Sequence, residues 1–522
     1  MNLIPPRREP PTLEQKLRPD YTSRDTLFAY LCIPVCYLFI KTTPLSSPSL
    51  GTMLAFLLLL GFAVTYLLLS DIRLSLPVWV AGGTTVLLSV GFLTNANAGL
   101  RVLLSLLLMA LLPIFVHTCC KKDLFDAFSR RPAGCLINAI VTLPARSLST
   151  NLVIFTPQRE DKRSRVFPII GWCLVGLVGA IVPTVVVALL LSYDEQFTNL
   201  LDRIFTFSSD NLFEHIGDFI LACILGVLMS TILFGNLLLS KAPVEESVEE
   251  TEEDSSSPMQ ILPKPLLAAF ATPILLLYVL FFVSQWNYYV SAFTHTLPEG
   301  LTYAQYAREG FFQLCTVCVL NAVLLICLQA FMRRTPGERG ILRRIYAGII
   351  SLFTLILIAT ALSKLILYIN AYGMTRARVL AAWMILLLAV IFVLSLIHVF
   401  CKKFPLAVAV LIICVLFSLV LFLPNIDGMI ANYNVDAYLS GELSSVDVDA
   451  LCDLDYAAVP ALTRLEEHLL TRPSLNEESA KQLDEITEWL NHLAKQSTQH
   501  PDGFFDFNIP TYRAKQMLEK RG

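Results

Sequence analysis

Hydrophobic residues occur along this chain in long continuous runs that are separated by short charged connections. Most runs are about 20 residues long, the length an α-helix needs to cross about 30 Å of hydrocarbon at 1.5 Å per residue. The pattern predicts an all-α protein, a polytopic transmembrane helical bundle of about 11 spans. The predicted helices cover residues 27–40, 51–70, 76–95, 101–119, 167–192, 213–240, 264–285, 303–331, 345–369, 377–400 and 404–424.

Composition agrees with a membrane protein and narrows the expected partners. Of the 522 residues, 55% are hydrophobic and 16% are charged, whereas about 25% are charged in ordinary soluble domains. The formal net charge of −3 gives no reason to expect a nucleic-acid partner, and membrane lipids are the partners the composition predicts. The seven histidines are scattered without ligand spacing, so the sequence predicts no metal site and no cofactor.

Basic residues mark the connections expected to face the cytoplasm. With 11 spans, four basic regions fall on the same side of the membrane: the N-terminal tail, residues 121–166, residues 333–344, and Lys402–Lys403. The sequence therefore predicts a cytoplasmic N-terminus and an extracytoplasmic C-terminus.

The distribution of charge also divides the chain into segments. The stretch "VEESVEETEEDSSSP" carries seven acidic residues and predicts a disordered linker. After Asn425, apolar residues recur at helical spacing beside charged faces, which predicts a small helical hairpin outside the membrane. The predicted segments are a basic cytoplasmic tail (1–26), a six-helix membrane half (27–240), an acidic cytoplasmic linker (241–263), a five-helix membrane half (264–424) and an extracytoplasmic helical domain (425–522).

One predicted helix contains charges inside its apolar run, in "TYAQYAREGFFQLCTVCVLNAVLL". Arg308 and Glu309 diverge by about 100° around the helix, so each needs a partner on another helix. We expect Glu309 to pair with Lys364, and Arg308 to pair with Asp194 or Glu195. The predicted polar cluster comprises Asp194, Glu195, Arg308, Glu309, Gln313, Asn321, Lys364, Tyr368, Arg376 and Arg378. Its charges are expected at the outer ends of the spans, and Gln313 and Asn321 are expected deeper in the membrane. The cluster is interpreted either as a set of pairs that fix helix register or as a ligand pocket.

Three stretches carry a family resemblance: "YAREGFFQL" followed by Asn321, "LYINAYGMTRARV" at Leu367–Val379, and "NYNVDAYLSGELSSVDVDALCDLDYAAVPALTRL" at Asn432–Leu465. Over roughly residues 264–522, the chain resembles a bacterial polytopic membrane family known as domain of unknown function four-one-seven-three, with its relative four-one-five-three. The family pattern leads one to expect an arginine where Lys364 stands. The resemblance implies a multi-pass protein of the bacterial cytoplasmic membrane and implies no activity.

Three classes of function follow from these observations. The first is a non-enzymatic envelope protein, a sensor, scaffold or assembly partner that binds an envelope protein or a lipid at its outer face. The second is a transporter of a small or lipidic solute, and the third is an outer-leaflet enzyme with Glu309 as acid or base. The chain lacks GxxxxGK[ST], HExxH and GxSxG motifs, and no catalytic residue is predicted. Because the strongest charges gather at one end of the spans, the sequence favours the first class.

Overall fold

The computed structural model describes residues 22–42, 49–70, 72, 76–120, 212–241, isolated positions between 269 and 283, and residues 303–331, 341–401, 404–472, 477–499 and 503–521. Within these ranges the secondary structure is helical, with no β-strand. The α-helices are α1 (Ser23–Thr42), α2 (Ser49–Leu69), α3 (Leu76–Ser89), α4 (Gly91–Thr94), α5 (Ala98–Cys120), α6 (Leu212–Lys241), α7 (Tyr303–Phe331), α8 (Ile341–Tyr372), α9 (Arg376–Phe400), α10 (Leu406–Phe422), α11 (Ile426–Leu439), α12 (Val448–Cys452), α13 (Val459–Leu470), α14 (Glu477–Gln499) and α15 (Ile509–Glu519).

Six helices in the described part are long and apolar enough to cross a membrane: α1, α2, α5, α6, α8 and α9. A seventh candidate consists of α10 and α11 together, which are bent by 61° at their junction. The predicted all-α, multi-pass architecture is therefore confirmed.

The count of 11 spans stays a prediction. The predicted spans 76–95 and 303–331 contain shorter apolar stretches, Val78–Thr94 and Leu314–Leu328. The predicted helix 167–192 and the acidic linker 241–263 lie outside the described residues, as does most of the helix 264–285.

The described residues fall into two compact units, and the first contains α1, α2, α6 and parts of α3 and α5. At the start of α1, Asp25 accepts a hydrogen bond from the Thr22 backbone N–H at 2.7 Å. Its other carboxylate oxygen accepts from the Tyr66 hydroxyl of α2 at 2.8 Å, so the buried charge is hydrogen-bonded on both oxygens. Farther along, Gly226 of α6 lets that helix approach the backbone of Tyr37 in α1.

The second unit contains residues 87–104 and the described residues from 269 onward. Helices α7, α8 and α9 pack around an apolar core that includes Leu328, Ile350 and Phe392. The Trp383 indole N–H donates to the Phe417 carbonyl at 2.8 Å and so fixes α9 against α10. In hydrocarbon such side-chain hydrogen bonds replace those that water would supply, and they hold the helices in register.

The C-terminal domain, defined here as residues 426–521, is larger than the predicted hairpin. The predicted hairpin corresponds to α13 and α14, and α11, α12 and α15 pack with them. Apolar side chains at helical spacing form the core, among them Leu462, Leu465 and Leu469 of α13 and Ile486 of α14. The domain therefore has a hydrophobic core of its own.

A buried ion pair closes the C-terminal domain. Arg521, which follows α15, donates to both carboxylate oxygens of Glu466 in α13. The Thr487 hydroxyl of α14 donates to the same carboxylate at 2.7 Å, so three helices meet at Glu466. Burial alone would raise the pKa of Glu466, but the hydrogen bonds from Arg521 and Thr487 and the Arg521 charge lower it below its ordinary value.

We predict that Glu466→Gln destabilises the chain by roughly 3 kcal/mol near neutral pH, because Arg521 then loses its charged partner while partly buried. A carboxylate whose pKa is lowered by folding stabilises the fold above its unfolded pKa, and this stabilisation is lost as pH falls through the folded pKa. The difference in thermal midpoint between wild type and Glu466→Gln, measured on the full chain in detergent, should therefore shrink in acid. An equal difference at neutral and acidic pH would contradict the assignment.

Candidate functional site

Several of the predicted polar residues lie where α8 ends and α9 begins. Gly373 adopts φ +73° and donates its N–H to the Ile369 carbonyl at 2.7 Å, which ends α8 with a residue in the left-handed region. Thr375 has extended backbone and its hydroxyl accepts from the Arg378 N–H, so it caps the start of α9. The chain thus reverses within three residues, and α9 packs back against α8.

Arg378 stabilises the end of the preceding helix. Its guanidinium donates to the Tyr372 carbonyl at 3.0 Å and to the Gly373 carbonyl, and it lies 4.0 Å from the centre of the Tyr368 ring. The last carbonyls of a helix have no partner within the helix and carry the negative end of its dipole, so a cation is favourable there. Arg378 therefore caps α8, with additional cation–π stabilisation from Tyr368.

Arg376 pairs with a residue that sequence analysis did not single out. Its Nε donates to Asp427 Oδ1 at 2.7 Å and its Nη2 donates to Oδ2 at 3.2 Å, which makes the ion pair bidentate. Only 4% of the Asp427 side chain is exposed. Asp427 lies in the first turn of α11, where the helix dipole favours a negative charge. This pair connects the start of a membrane helix to the first helix of the C-terminal domain.

Asn434 of α11 holds the turn between α8 and α9 by hydrogen bonds to the backbone. Its Oδ1 accepts from the Met374 N–H at 2.6 Å, and its Nδ2 donates to the Met374 carbonyl at 2.8 Å. A Cβ atom on Gly373 would overlap the Asn434 amide oxygen. The glycine is therefore required both for the left-handed backbone and for the close approach of α11.

A second acidic residue, Asp455, lies close enough to interact with the ion pair between Arg376 and Asp427. It opens a 3-10 turn at Asp455–Ala458 and has φ +55°. Burial raises the pKa of Asp455 and the Asp427 charge adds to the rise, whereas the Tyr456 backbone hydrogen bond and the Arg376 charge oppose it. We call the following set the joint: Tyr368, Gly373, Arg376, Arg378, Asp427, Asn434 and Asp455.

The partners expected for other predicted residues are not described by the structure. Lys364 of α8 is fully buried, eight residues before Tyr372, or about 12 Å along the helix axis. Arg308, Glu309 and Gln313 belong to α7, but their side chains lie outside the described residues, and so do Asp194 and Glu195. The pairing of Glu309 with Lys364, and of Arg308 with Asp194 or Glu195, stays a prediction.

Asn321 is not part of the joint. It is fully buried, accepts from the Tyr278 hydroxyl at 2.7 Å and donates to the Thr354 hydroxyl of α8 at 2.9 Å. Thr354 precedes Tyr368 by 14 residues, about 20 Å along the axis of α8. Asn321 therefore lies deep among the membrane helices, whereas Arg376 and Arg378 lie where α8 ends and α9 begins.

Sequence reasoning missed Asp427, Asn434 and Asp455 as members of the joint. Asp427 is 51 residues from Arg376, and Asn434 is 60 residues from Met374. No helical or strand period relates positions so far apart. A local signal was nevertheless present, because Asn425 followed by Asp427 is a helix N-cap with an acidic first turn.

The side chains of the joint are engaged in charge pairing, carbonyl capping and backbone hydrogen bonds. Such contacts fix the relative orientation of helices. Among the residues that the structure describes, no group of three His, Cys, Asp or Glu side chains is placed to hold a metal ion. The contacts of the joint therefore fix α11 relative to the start of α9.

Residues 82–465 match the model of a family described as Domain of unknown function (DUF4153). It is the second of the two families named for the resemblance, and the match covers every residue of the joint. The resemblance noted in the sequence covered residues 264–522, whereas the match begins in α3 and ends in α13. No curated protein and no solved structure matches the chain.

The exposed pair between Arg464 and Asp436 provides a matched control for the joint, since Asp436 also belongs to α11 and accepts from an arginine at 2.8 Å. We predict that Asp427→Asn lowers the free energy of unfolding by roughly 3–5 kcal/mol, because it leaves Arg376 without its buried partner. Asp436→Asn should cost less than about 1 kcal/mol. Thermal unfolding of the full chain in detergent measures both, and equal effects would show that the joint does not stabilise the fold.

Proposed function

This chain belongs to the family described as Domain of unknown function (DUF4153), and we propose that it is a non-enzymatic membrane sensor, scaffold or assembly partner. In this proposal the C-terminal domain binds the partner, an envelope protein, and the membrane helices anchor and orient it. The membrane is proposed to be the bacterial cytoplasmic membrane.

The joint is the observation that carries this proposal. A bidentate ion pair between Arg376 and Asp427 and the two hydrogen bonds from Asn434 to Met374 join the membrane helices to the C-terminal domain. A flexible tether would need none of these contacts. Rigid attachment is what a scaffold needs to present a surface, and what a sensor needs to pass a movement to its spans.

The orientation proposed for the C-terminal domain, on the extracytoplasmic side, rests on the basic connections. A cysteine-labelling test has to allow for the chemistry of Cys452 in α12. Burial raises the pKa of its thiol to about 12, and the carboxylates of Asp449, Asp453 and Glu485 add to the rise. Cys452 is therefore a poor nucleophile, and its failure to react would not locate the domain.

We predict that Ser445→Cys, at an exposed position before α12, is labelled by a membrane-impermeant maleimide in intact cells. It should react on the order of a hundredfold faster than Cys452, because far more of its thiol is ionised at neutral pH. A Ser256→Cys variant in the acidic segment should react only after detergent opens the membrane. The reverse pattern would place the C-terminal domain in the cytoplasm and overturn the proposed orientation.

The proposed role itself is tested by site-specific photo-crosslinking in intact cells. Leu470, at the end of α13, has 65% of its surface exposed and is a suitable position on the C-terminal domain. Val420 of α10 is the matched control, since it is equally apolar and exposed but lies on a helix expected to contact lipid. We expect a discrete protein adduct from Leu470 and only lipid adducts from Val420.

The crosslinker is also placed at two further exposed positions on the C-terminal domain, Glu442 and Arg472, so that the test does not depend on one site. If none of the three positions yields a protein adduct, the proposed role is wrong. If Leu470 yields an adduct that persists when Asp427→Asn loosens the joint, the domain binds its partner without mechanical coupling. A scaffold would then be retained and a sensor rejected.

A transporter is the second candidate, because buried polar side chains also lie deep in the membrane helices. Buried polar residues on α8 include Ser351, which donates to Ser395 of α9, and Thr354, which accepts from Asn321. With Lys364 they form a series along α8, and intramembrane polar residues commonly mark solute pathways. Helix register accounts equally for the hydrogen-bonded members of this series.

A further inference from the structure

Four aromatic side chains lie on the surface of the segment Gly503–Arg513, which we call the aromatic segment. The exposed fractions of Phe504 and Phe505 are 74% and 59%. Large aromatic side chains of soluble domains are usually buried, because each one that enters an apolar environment gains considerable free energy. The four exposed residues are Phe504, Phe505, Phe507 and Tyr512.

The aromatic rings are held in a defined arrangement. Phe504 contacts Phe505 edge-on at a centroid distance of 5.5 Å, and Phe507 contacts Tyr512 at the same distance. The Gly503 N–H donates to Asp506 at 3.0 Å, which closes the turn that carries the first pair. The exposed rings are thus part of a folded surface that lacks a cover.

Asn508 fixes the position of this surface in the fold. Its Nδ2 donates to the carbonyl of Phe92 at 3.2 Å and to the carbonyl of Asn95 at 3.0 Å. The side chain is 4% exposed, and its Oδ1 caps the start of α15. The aromatic segment therefore lies beside the turn between α4 and α5.

That turn lies at the level where apolar helices end. Asn95 donates from Nδ2 to the carbonyl of Phe422, the last residue of α10, at 2.6 Å. Thr94 donates to the same carbonyl at 3.1 Å. Helix α5, a candidate span, begins at Ala98, just after this turn. The end of α10 and the start of α5 thus lie at one level, which is the level expected for one boundary of the hydrocarbon layer.

Exposed apolar side chains lie on the helix ends that flank the turn contacted by Asn508. Val420 on the last turn of α10 is 69% exposed, and Val102 and Leu103 near the start of α5 are also exposed. Exposed apolar side chains on spanning helices face lipid. Phenylalanine and tyrosine rings located where such a surface ends occupy the level of the headgroups, where aromatic side chains are favoured.

A small cleft at the same level has the chemistry of a headgroup site. The cleft has a volume of about 270 Å³, and Ile509 and Pro510 form its apolar wall. The hydroxyl of Thr94 and the guanidinium of the exposed Arg513 provide polar groups. A guanidinium is well suited to bind a phosphate group through paired hydrogen bonds.

We propose that the aromatic segment is an interfacial membrane anchor. Phe504, Phe505, Phe507 and Tyr512 insert at the boundary between the headgroups and the acyl chains, and Arg513 binds a phospholipid phosphate in the cleft. The anchor holds the C-terminal domain against the bilayer surface. The proposal goes beyond the role given above and does not depend on it, because it is the same on either side of the membrane.

Photo-labelling by lipid tests the anchor on the native full-length chain. The protein is placed in nanodiscs of phosphatidylcholine and phosphatidylglycerol in which some lipids carry a diazirine near the carboxyl end of one acyl chain. After illumination, tryptic peptides are analysed by mass spectrometry. We expect several-fold more lipid adduct on the peptide Gln496–Arg513, which contains the aromatic segment, than on Gln482–Lys495, which belongs to α14.

Two variants separate the parts of the proposal. Replacement of Phe504 and Phe505 together by serine should reduce labelling of Gln496–Arg513 to the level of the control peptide, and the thermal midpoint should be kept because both rings are exposed. In the wild type we expect labelled phosphatidylglycerol to react more than labelled phosphatidylcholine, because the choline cation competes with Arg513 for the lipid phosphate. Arg513→Gln should remove this preference, measured on the tryptic peptide that in the variant ends at Lys515. Equal labelling of the two wild-type peptides, or a crosslink from the aromatic segment to a second copy of the chain in place of lipid, would overturn the anchor.

Discussion

The bidentate ion pair between Arg376 and Asp427 determines how the C-terminal domain is attached to the membrane helices. It connects the first residue of α9 to the first turn of α11, just after the bend between α10 and α11. A buried carboxylate is tolerated only with a charged, hydrogen-bonded partner. Arg376 meets that need with two parallel hydrogen bonds, and Asn434 fixes the neighbouring turn from the same helix. The position of α11 is therefore set by electrostatics as well as by apolar packing.

Buried polar side chains of the membrane helices also need hydrogen-bond partners within the protein. Asn321 bridges Tyr278 and Thr354, and Ser351 bonds to Ser395 across α8 and α9. Burying any of these groups in hydrocarbon without a hydrogen-bond partner would be costly. Each hydrogen bond therefore favours one alignment of the helices over alternative alignments. Polar side chains in this chain thus contribute chiefly to specificity of packing, while the apolar surface supplies membrane affinity.

The C-terminal domain is held at two places by different physical means. The joint attaches α11 to the start of α9 by charge and hydrogen bonds, and Asn508 attaches the start of α15 to α4 and the turn after it. Between these two points, Glu466 and Arg521 join the helices of the domain to one another. These contacts fix the position of the C-terminal domain relative to the start of α9 and the turn after α4.

The sequence by itself determined that the chain is helical and spans a membrane several times, because hydrocarbon thickness and backbone hydrogen bonding impose a length and a composition on each span. It also located Tyr368, Arg376 and Arg378 as polar residues at the end of a span. It did not identify Asp427 or Asn434 as their neighbours. Those partners lie 51 and 60 residues away from the groups they bond, and no periodicity relates such positions. Only the tertiary structure shows which residues these are, because the bend between α10 and α11 brings Asp427 and Asn434 to the start of α9.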